Sequence, residues 1–206
     1  MAGKVGVAVY SDYLCPWCYV AAVRLGGIEA EYGERVGIEW KSFLLLRQKR
    51  EGYDPRPSMA RSWLMAGAEE GSIRYSPWPA TRPLPSSSVP AQAAAKCARR
   101  QGKAAFGRYH LLLLAAFFER TWDVSDREVL IALAGEAGLD REAFVADFES
   151  GAVEGEVLAD YREALADTRF SGVPTAIFDD VVVLEGAVPI EMYRRAVDVR
   201  LARQAL

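Results

Sequence analysis

Apolar side chains at the start of the chain follow a period of two and predict a strand. Valines occupy every second position of residues 4–10, and the positions between them are small or aromatic, so both faces are apolar, which is typical of a central strand covered on each side. Residues 20–30 then carry apolar side chains at helical spacing, and this helix is expected to end near Gly33. Apolar and polar residues alternate in residues 36–41, which predicts a half-exposed strand at a sheet edge. The first 43 residues therefore predict one β-α-β unit.

The middle of the chain is predicted to be helical, with one long interruption. Residues 75–90 contain five prolines and three consecutive serines, so they cannot be regular, and long loops in compact domains are often functional. Helical periodicity is found in residues 60–70, 91–101, 103–121, 127–137 and 153–167.

Ser125 and Glu128 have the spacing of a capping box, which predicts that Ser125 caps the helix of residues 127–137. This signature marks the start of the second half of the helical block.

Strand character returns near the end of the chain. Residues 175–178 and 181–185 are short β-rich runs, and Asp179-Asp180 between them predicts a tight hairpin. Pro189 is suited to the first position of a last helix. The predicted order is β-α-β, a helical block and then β-β-α, which is an α/β fold.

Composition and charge narrow the functional class. The chain has 206 residues, of which 51% are hydrophobic and 26% charged, and its formal net charge is −3, so neither a nucleic acid nor an anionic membrane is an expected partner. It contains no apolar run near the roughly 20 residues of a membrane span. The N-terminus carries no secretory signal pattern, so a cytoplasmic location is expected unless a leader has been removed.

The candidate chemistry lies in Cys15-Pro16-Trp17-Cys18, between the first predicted strand and helix. A thiol at a helix N-terminus faces unpaired N–H groups and the positive end of the helix dipole, so Cys15 is expected to be the nucleophilic thiolate. Pro16 is suited to the first helical position. Cys18 lies on the same helix face but deeper, as a resolving thiol, and Trp17 is expected to be an exposed aromatic beside the sulfur.

Two segments at opposite ends of the chain form a specific combination: SDYLCPWCY at residues 11–19 and SGVPTAIF at residues 171–178. With the element order, this combination resembles the DsbA family of thiol oxidoreductases, and most closely its FrnE-like branch. That branch includes 2-hydroxychromene-2-carboxylate isomerases and kappa-class glutathione transferases.

The resemblance implies a thioredoxin fold formed by residues 1–43 and 170–206, with a helical insertion at residues 44–169. It also implies a cis Val173–Pro174 bond beside Cys15. If residues 175–178 run antiparallel to the first strand, this bond would present the Val173 backbone to an extended substrate segment or to glutathione.

The sequence positions of the other reactive side chains favour structural roles for them. A metal site is not expected, because Cys97 and His110 are too distant in sequence to complete a zinc site with the CPWC thiols. Cys97 is expected to be a small buried helix residue, and His110 a packing residue. Asp12 could tune the proton of Cys18 or stabilise a turn. Trp78 and the proline-rich loop could line a substrate groove or be inert.

Two cysteines favour a dithiol–disulfide oxidoreductase that acts on a protein or small-molecule disulfide. The alternative is a glutathione-dependent isomerase or transferase, but that class usually has a serine at the position of Cys15 and lacks a resolving cysteine. A non-catalytic peptide-binding module is a third class. No cofactor is expected other than glutathione as co-substrate. A homodimer is possible, and the sequence indicates neither the oligomeric state nor the direction of electron flow.

Overall fold

Four strands form one mixed sheet in the order β2-β1-β3-β4 in this computed structural model, which describes residues 3–48 and 54–204. The central strand β1 pairs in parallel with β2 and antiparallel with β3, and β3 pairs antiparallel with β4. The strands are β1 (Val5–Ser11), β2 (Val36–Ser42), β3 (Thr175–Phe178) and β4 (Val182–Glu185). The helices are α1 (Pro16–Tyr32), α2 (Arg56–Glu69), α3 (Val89–Arg100), α4 (Lys103–Phe118), α5 (Arg127–Glu136), α6 (Arg141–Glu149), α7 (Ala152–Ala166) and α8 (Ile190–Gln204).

The predicted α/β element order is confirmed, and the differences are local. Helix α2 begins four residues before the predicted start, at Arg56, and α8 begins at Ile190, one residue after Pro189. The predicted capping role of Ser125 is wrong: Asp126 is the N-cap of α5, and its carboxylate accepts the N–H groups of Glu128 and Val129. Asp126 has the same capping chemistry as serine but lies one residue closer to the helix.

The valines of β1 form one side of a core with α1 and α8. Val5, Val7 and Val9 are buried there together with Leu25 and other apolar residues of these two helices. Each such side chain stabilises the fold by roughly 1.5–3 kcal/mol relative to exposure. On the opposite face, Gly6 is exposed, so the expectation that both faces of β1 are covered along its whole length is wrong.

The hairpin between β3 and β4 turns at Asp179 and Asp180, as predicted. Both residues have left-handed φ angles, 47° and 58°, and the Val181 N–H closes the turn by donating to Phe178 O at 2.9 Å. Strand β4 begins at Val182, one residue later than predicted, so three residues separate the paired Phe178 and Val182. The Asp179 carboxylate accepts the Gly6 N–H at 2.8 Å and the Arg200 Nε at 2.9 Å, so the turn is bound to β1 and to α8.

The helical insertion has its own core and contacts the sheet at the edge strand β2. The Asp160 carboxylate on α7 accepts the backbone N–H of Ser42 at 2.9 Å and forms an ion pair with Lys96 on α3. Both charged side chains are largely buried, with 12% and 15% of their side-chain surface exposed for Lys96 and Asp160 respectively. This contact satisfies a backbone group of the edge strand that would otherwise be open to pairing with another chain.

Replacing Asp160 with alanine should lower the free energy of unfolding by about 3 kcal/mol, because the buried Lys96 ammonium loses its partner. Urea unfolding measures this loss. The matched control is Glu31→Ala, which removes an exposed ion pair with Arg194 and should cost far less. Equal losses in the two variants would show that the buried contacts of Asp160 contribute no more to stability than an exposed ion pair does.

Candidate active site

The CPWC motif lies in the turn between β1 and α1 and in the first turn of that helix. Cys15 is the N-cap of α1 in an extended conformation, and Pro16 is the first helical residue, as predicted. The backbone N–H of Cys15 donates to Asp12 O at 3.1 Å, and that of Cys18 donates to Cys15 O at 3.0 Å. Both cysteines are free thiols, with 5% of Cys15 and none of Cys18 exposed.

Val173 and Pro174 lie beside Cys15, as the sequence predicted. The Cys15 Sγ is 3.6 Å from the carbonyl oxygen of Val173, and the Val173–Pro174 bond is cis. The antiparallel register of β1 and β3 pairs Tyr10 with Thr175, which places the segment before β3 next to the turn after β1. No hydrogen bond to the Val173 N–H is found among residues 3–48 and 54–204. The structure therefore places four predicted residues, Cys15, Cys18, Val173 and Pro174, in one region.

The surroundings of Cys18 disfavour its thiolate. Burial raises the pKa of the Cys18 thiol well above its usual range, and the adjacent Cys15 sulfur adds to this increase. The Ser11 hydroxyl and the backbone N–H of Asp12 oppose it, and the latter lies 3.4 Å from Cys18 Sγ.

Contacts with the helical insertion position Pro16 and Trp17, in addition to their place in α1. Trp17 is half-buried against the core of the insertion, so the expectation of an exposed aromatic is wrong. The Tyr75 hydroxyl, in the proline-rich loop, donates to Pro16 O at 2.8 Å. The sequence contains no signal for this contact, because it joins residues far apart in the chain.

The family of the chain follows from its match to known proteins. The model of the DSBA-like thioredoxin domain matches residues 6–198. The chain belongs to this family. Its fold is accordingly the DsbA-like thioredoxin fold that the sequence motifs implied.

Individual members of the family resemble the whole chain. YwbO of Bacillus subtilis (strain 168) is 28% identical over 94% of this chain and 96% of its own length. Among solved structures, the probable DsbA oxidoreductase SCO1869 from Streptomyces coelicolor is 28% identical, with a TM-score of 0.68 over 94% of this chain and 88% of that chain.

Two further solved structures share the fold at lower identity. The cytosolic disulfide reductase DsbM from Pseudomonas aeruginosa, in a structure with GSH, has a TM-score of 0.75 and is 19% identical over 98% of this chain and all of that chain. A 2-hydroxychromene-2-carboxylate isomerase has a TM-score of 0.69 and is 22% identical over 97% of each chain.

Asp12 stabilises the active-site turn of this DSBA-like domain. Its buried carboxylate accepts the backbone N–H groups of Leu14 and Leu45, each at 2.7 Å. Burial raises the pKa of Asp12 to about 6, and these hydrogen bonds limit the increase. The sequence left two roles open for Asp12, tuning the proton of Cys18 or stabilising a turn. The contacts of its carboxylate show the second role.

His110 and Cys97 are buried, as expected for packing residues. The imidazole of His110 lies between the rings of Trp40 and Phe106, and its Nδ1 is 2.7 Å from the Tyr13 hydroxyl. Burial lowers the pKa of His110 to about 3, so the ring is neutral near pH 7.

An apolar groove of about 470 Å³ begins at Leu14, the residue before Cys15. The proline-rich loop forms part of its wall, whereas Trp78 packs on Phe117 behind the wall. The described residues that line the groove are Leu14, Leu45, Leu46, Asp54, Pro55, Arg56, Met59, Pro83, Leu84, Pro85 and Phe117.

Residues 3–48 and 54–204 contain neither a helix that could span a membrane nor a cluster of metal-binding side chains. None of the helices there is both long enough and apolar enough to span a bilayer. No group of three or more His, Cys, Asp or Glu residues in these ranges is arranged to hold a metal ion.

Replacing Asp12 with asparagine should change how stability depends on pH. The folded-state pKa of Asp12, about 6, is above its unfolded value, so the folded state binds more protons between the two, and stability falls as pH rises through about 6. From about pH 7.5 to about pH 4.5, the wild type should gain about 2 kcal/mol relative to Asp12→Asn. Urea unfolding at both pH values measures the difference, and a constant gap between the proteins would contradict the raised pKa.

Proposed function

We propose that this DSBA-like protein is a dithiol–disulfide oxidoreductase. The Cys15 thiolate attacks one sulfur of a substrate disulfide, the substrate S–S bond breaks, and a mixed disulfide with Cys15 forms. The substrate thiolate released in this step takes up a proton from solvent. Cys18 then attacks the Cys15 sulfur, the bond between Cys15 and the substrate breaks, and the proton of the Cys18 thiol ends on the second substrate sulfur. The substrate disulfide is thereby reduced to two thiols, and the chain is oxidised to a Cys15–Cys18 disulfide.

The observation that carries this proposal is the unequal placement of two adjacent thiols. Cys15 is at the N-cap of α1, its Sγ lies 3.6 Å from the Val173 carbonyl oxygen, and it is 5% exposed. Cys18 is fully buried and its raised pKa keeps it protonated, so it does not compete for the substrate. It becomes reactive when a mixed disulfide with Cys15 places an electrophilic sulfur next to it.

The segment before β3 would bind the substrate backbone. The N–H of Val173 has no partner among the described residues, and its carbonyl lies 3.6 Å from Cys15 Sγ. An extended peptide could therefore pair with Val173 in the manner of an added strand, with its sulfur beside Cys15. Pro16, Trp17 and Pro174 are the other residues proposed to contact the substrate.

The number of thiolates released from 5,5′-dithiobis(2-nitrobenzoate), a coloured aromatic disulfide, tests the two roles. The reduced wild type should release two equivalents per chain, one in the attack by Cys15 and one in the resolution by Cys18. Cys18→Ala should release one equivalent and retain the other as a stable adduct. Cys15→Ser should release almost none during the same period.

Cys97→Ala is the matched control, because it removes a third buried thiol that has no role in the proposal. It should release two equivalents at the wild-type rate. Full release by Cys15→Ser, or two equivalents from Cys18→Ala, would contradict the assigned roles.

We further propose glutathione as the reductant and the cytoplasm as the compartment. Two glutathione molecules would reduce the Cys15–Cys18 disulfide and leave as glutathione disulfide. The fold shared with a cytosolic disulfide reductase solved with GSH supports this choice. Reduction of the oxidised protein by glutathione at cytosolic concentration should be complete; a pair that stays oxidised would rule out glutathione as the reductant.

The apolar groove at Leu14 favours a second candidate, a glutathione-dependent isomerase that acts on an aromatic small molecule. Here glutathione would add to the substrate and leave after isomerisation, so Cys18 would be dispensable. Glutathione-dependent conversion of 2-hydroxychromene-2-carboxylate by Cys18→Ala at the wild-type rate would support this candidate. Loss of disulfide reduction in the same variant, with no isomerisation by either protein, would exclude it.

A further inference from the structure

Two buried polar atoms behind the active site lack a hydrogen-bonding partner among the described residues. They are the Nε2 of His110 on α4 and the hydroxyl oxygen of Ser42 on β2. Their residues are only 4% and 1% exposed, so bulk water does not solvate them. An unsatisfied buried donor or acceptor costs roughly 1–3 kcal/mol, so a partner for both atoms is expected.

Both residues line the same small cavity. Its volume is about 10 Å³, close to the minimum of about 10–15 Å³ that holds one water molecule. Ser11 on β1 is a third wall residue and is paired with Ser42 in the parallel register, so their side chains share one face of the sheet. The remaining described wall residues are Tyr13, Trp40, Lys41, Gln92, Ala95, Lys96, Arg99 and Phe106.

The charges around the cavity favour a neutral occupant over an anion. Each of its three cationic wall residues already has a carboxylate partner: Lys41 pairs with Glu163, Lys96 with Asp160 and Arg99 with Glu39. The volume is also too small for an oxyanion.

The cavity lies between two groups that belong to the CPWC turn. On one side, the Ser11 hydroxyl is near enough to the Cys18 thiol to lower its pKa, and the backbone N–H of the next residue, Asp12, lies 3.4 Å from Cys18 Sγ. On the other side, the Tyr13 hydroxyl is 2.7 Å from His110 Nδ1. If Tyr13 donates to Nδ1, the neutral imidazole carries its proton on Nε2, which then donates into the cavity.

We propose that the cavity binds one water molecule that completes a buried hydrogen-bond chain from Tyr13 through His110, the water and Ser11 to the Cys18 sulfur. Every donor in this chain is directed towards Cys18: the tyrosine to the imidazole, the imidazole to the water, the water to the Ser11 oxygen and the Ser11 hydroxyl to the sulfur. Ser42 provides the water with a further partner. Hydrogen bonds aligned in one direction polarise one another, so the last donor is strengthened.

This hydrogen-bond chain would act in the resolving step, so its proposed role rests on the proposed function. In that step the Cys18 sulfur bonds to Cys15 Sγ, the S–S bond between Cys15 and the substrate breaks, and the proton of the Cys18 thiol ends on the leaving substrate sulfur. Negative charge develops on Cys18 in a buried site, and the Ser11 hydroxyl is the donor that stabilises it. Ser11 is thus a catalytic residue, whereas His110 and Tyr13 are positioning residues.

Stopped-flow reaction with the coloured disulfide separates the two steps, because each releases one equivalent of thiolate. Ser11→Ala and His110→Phe should each slow the second phase by about tenfold and leave the first phase unchanged. Ser11→Thr, which retains the hydroxyl, should restore the second phase. The matched control is Tyr109→Phe, which removes a neighbouring buried hydroxyl on α4 that donates to Leu130 O and lies off the chain.

A second phase at the wild-type rate in His110→Phe would overturn the proposed hydrogen-bond chain, even if the second phase of Ser11→Ala is slow. All these variants should still release two equivalents in total; release of one would point to failure of the proposed function itself. A crystal structure at high resolution provides a readout that does not depend on variants: density for a water molecule within hydrogen-bonding distance of His110 Nε2 and Ser42 Oγ is expected, and a dry cavity would overturn the proposal.

Discussion

The antiparallel pairing of β1 with β3 is the constraint on which the candidate site depends. Its register sets Tyr10 opposite Thr175 and thereby brings together two segments 158 residues apart, so that the Val173 carbonyl lies 3.6 Å from Cys15 Sγ. A one-residue slip would turn every side chain of β3 to the other face of the sheet and would remove Phe178 from the core that it forms with β1, α1 and α8. The hydrophobic core therefore fixes the distance between the nucleophile and the backbone proposed to bind substrate.

A second constraint connects the active-site turn to the helical insertion. The Asp12 carboxylate accepts N–H groups from Leu14, in the turn, and from Leu45, where the chain leaves β2. A buried carboxylate is costly unless it is well hydrogen-bonded, and the raised pKa of Asp12 shows that part of this cost remains. The groove at Leu14 is lined by both residues whose backbone N–H groups the Asp12 carboxylate binds, Leu14 and Leu45.

Local patterns predicted most of the fold and the centre of the site. The strand periods and the CPWC spacing depend on residues close in sequence, so Cys15 as N-cap was predictable, whereas the cis bond before Pro174 was implied by the resemblance to the DsbA family. Trp17 was not, because its burial results from the packing of the insertion against α1. Tyr75 and the cavity between Ser11, Ser42 and His110 likewise arise where distant elements meet, and no local pattern encodes such contacts. The wrong prediction that Ser125 caps α5 shows a second limit of sequence patterns. Adjacent residues with equivalent capping chemistry, here Ser125 and Asp126, cannot be distinguished by pattern alone.

The central claim is that Cys15 and Cys18 act in a fixed order. Rapid acid quenching of the reduced protein with a peptide disulfide, followed by mass-spectrometric mapping, tests that order most directly. The account predicts that the first adduct carries the peptide on Cys15 alone and that it decays into a Cys15–Cys18 disulfide. A first adduct on Cys18 or Cys97 would contradict the account.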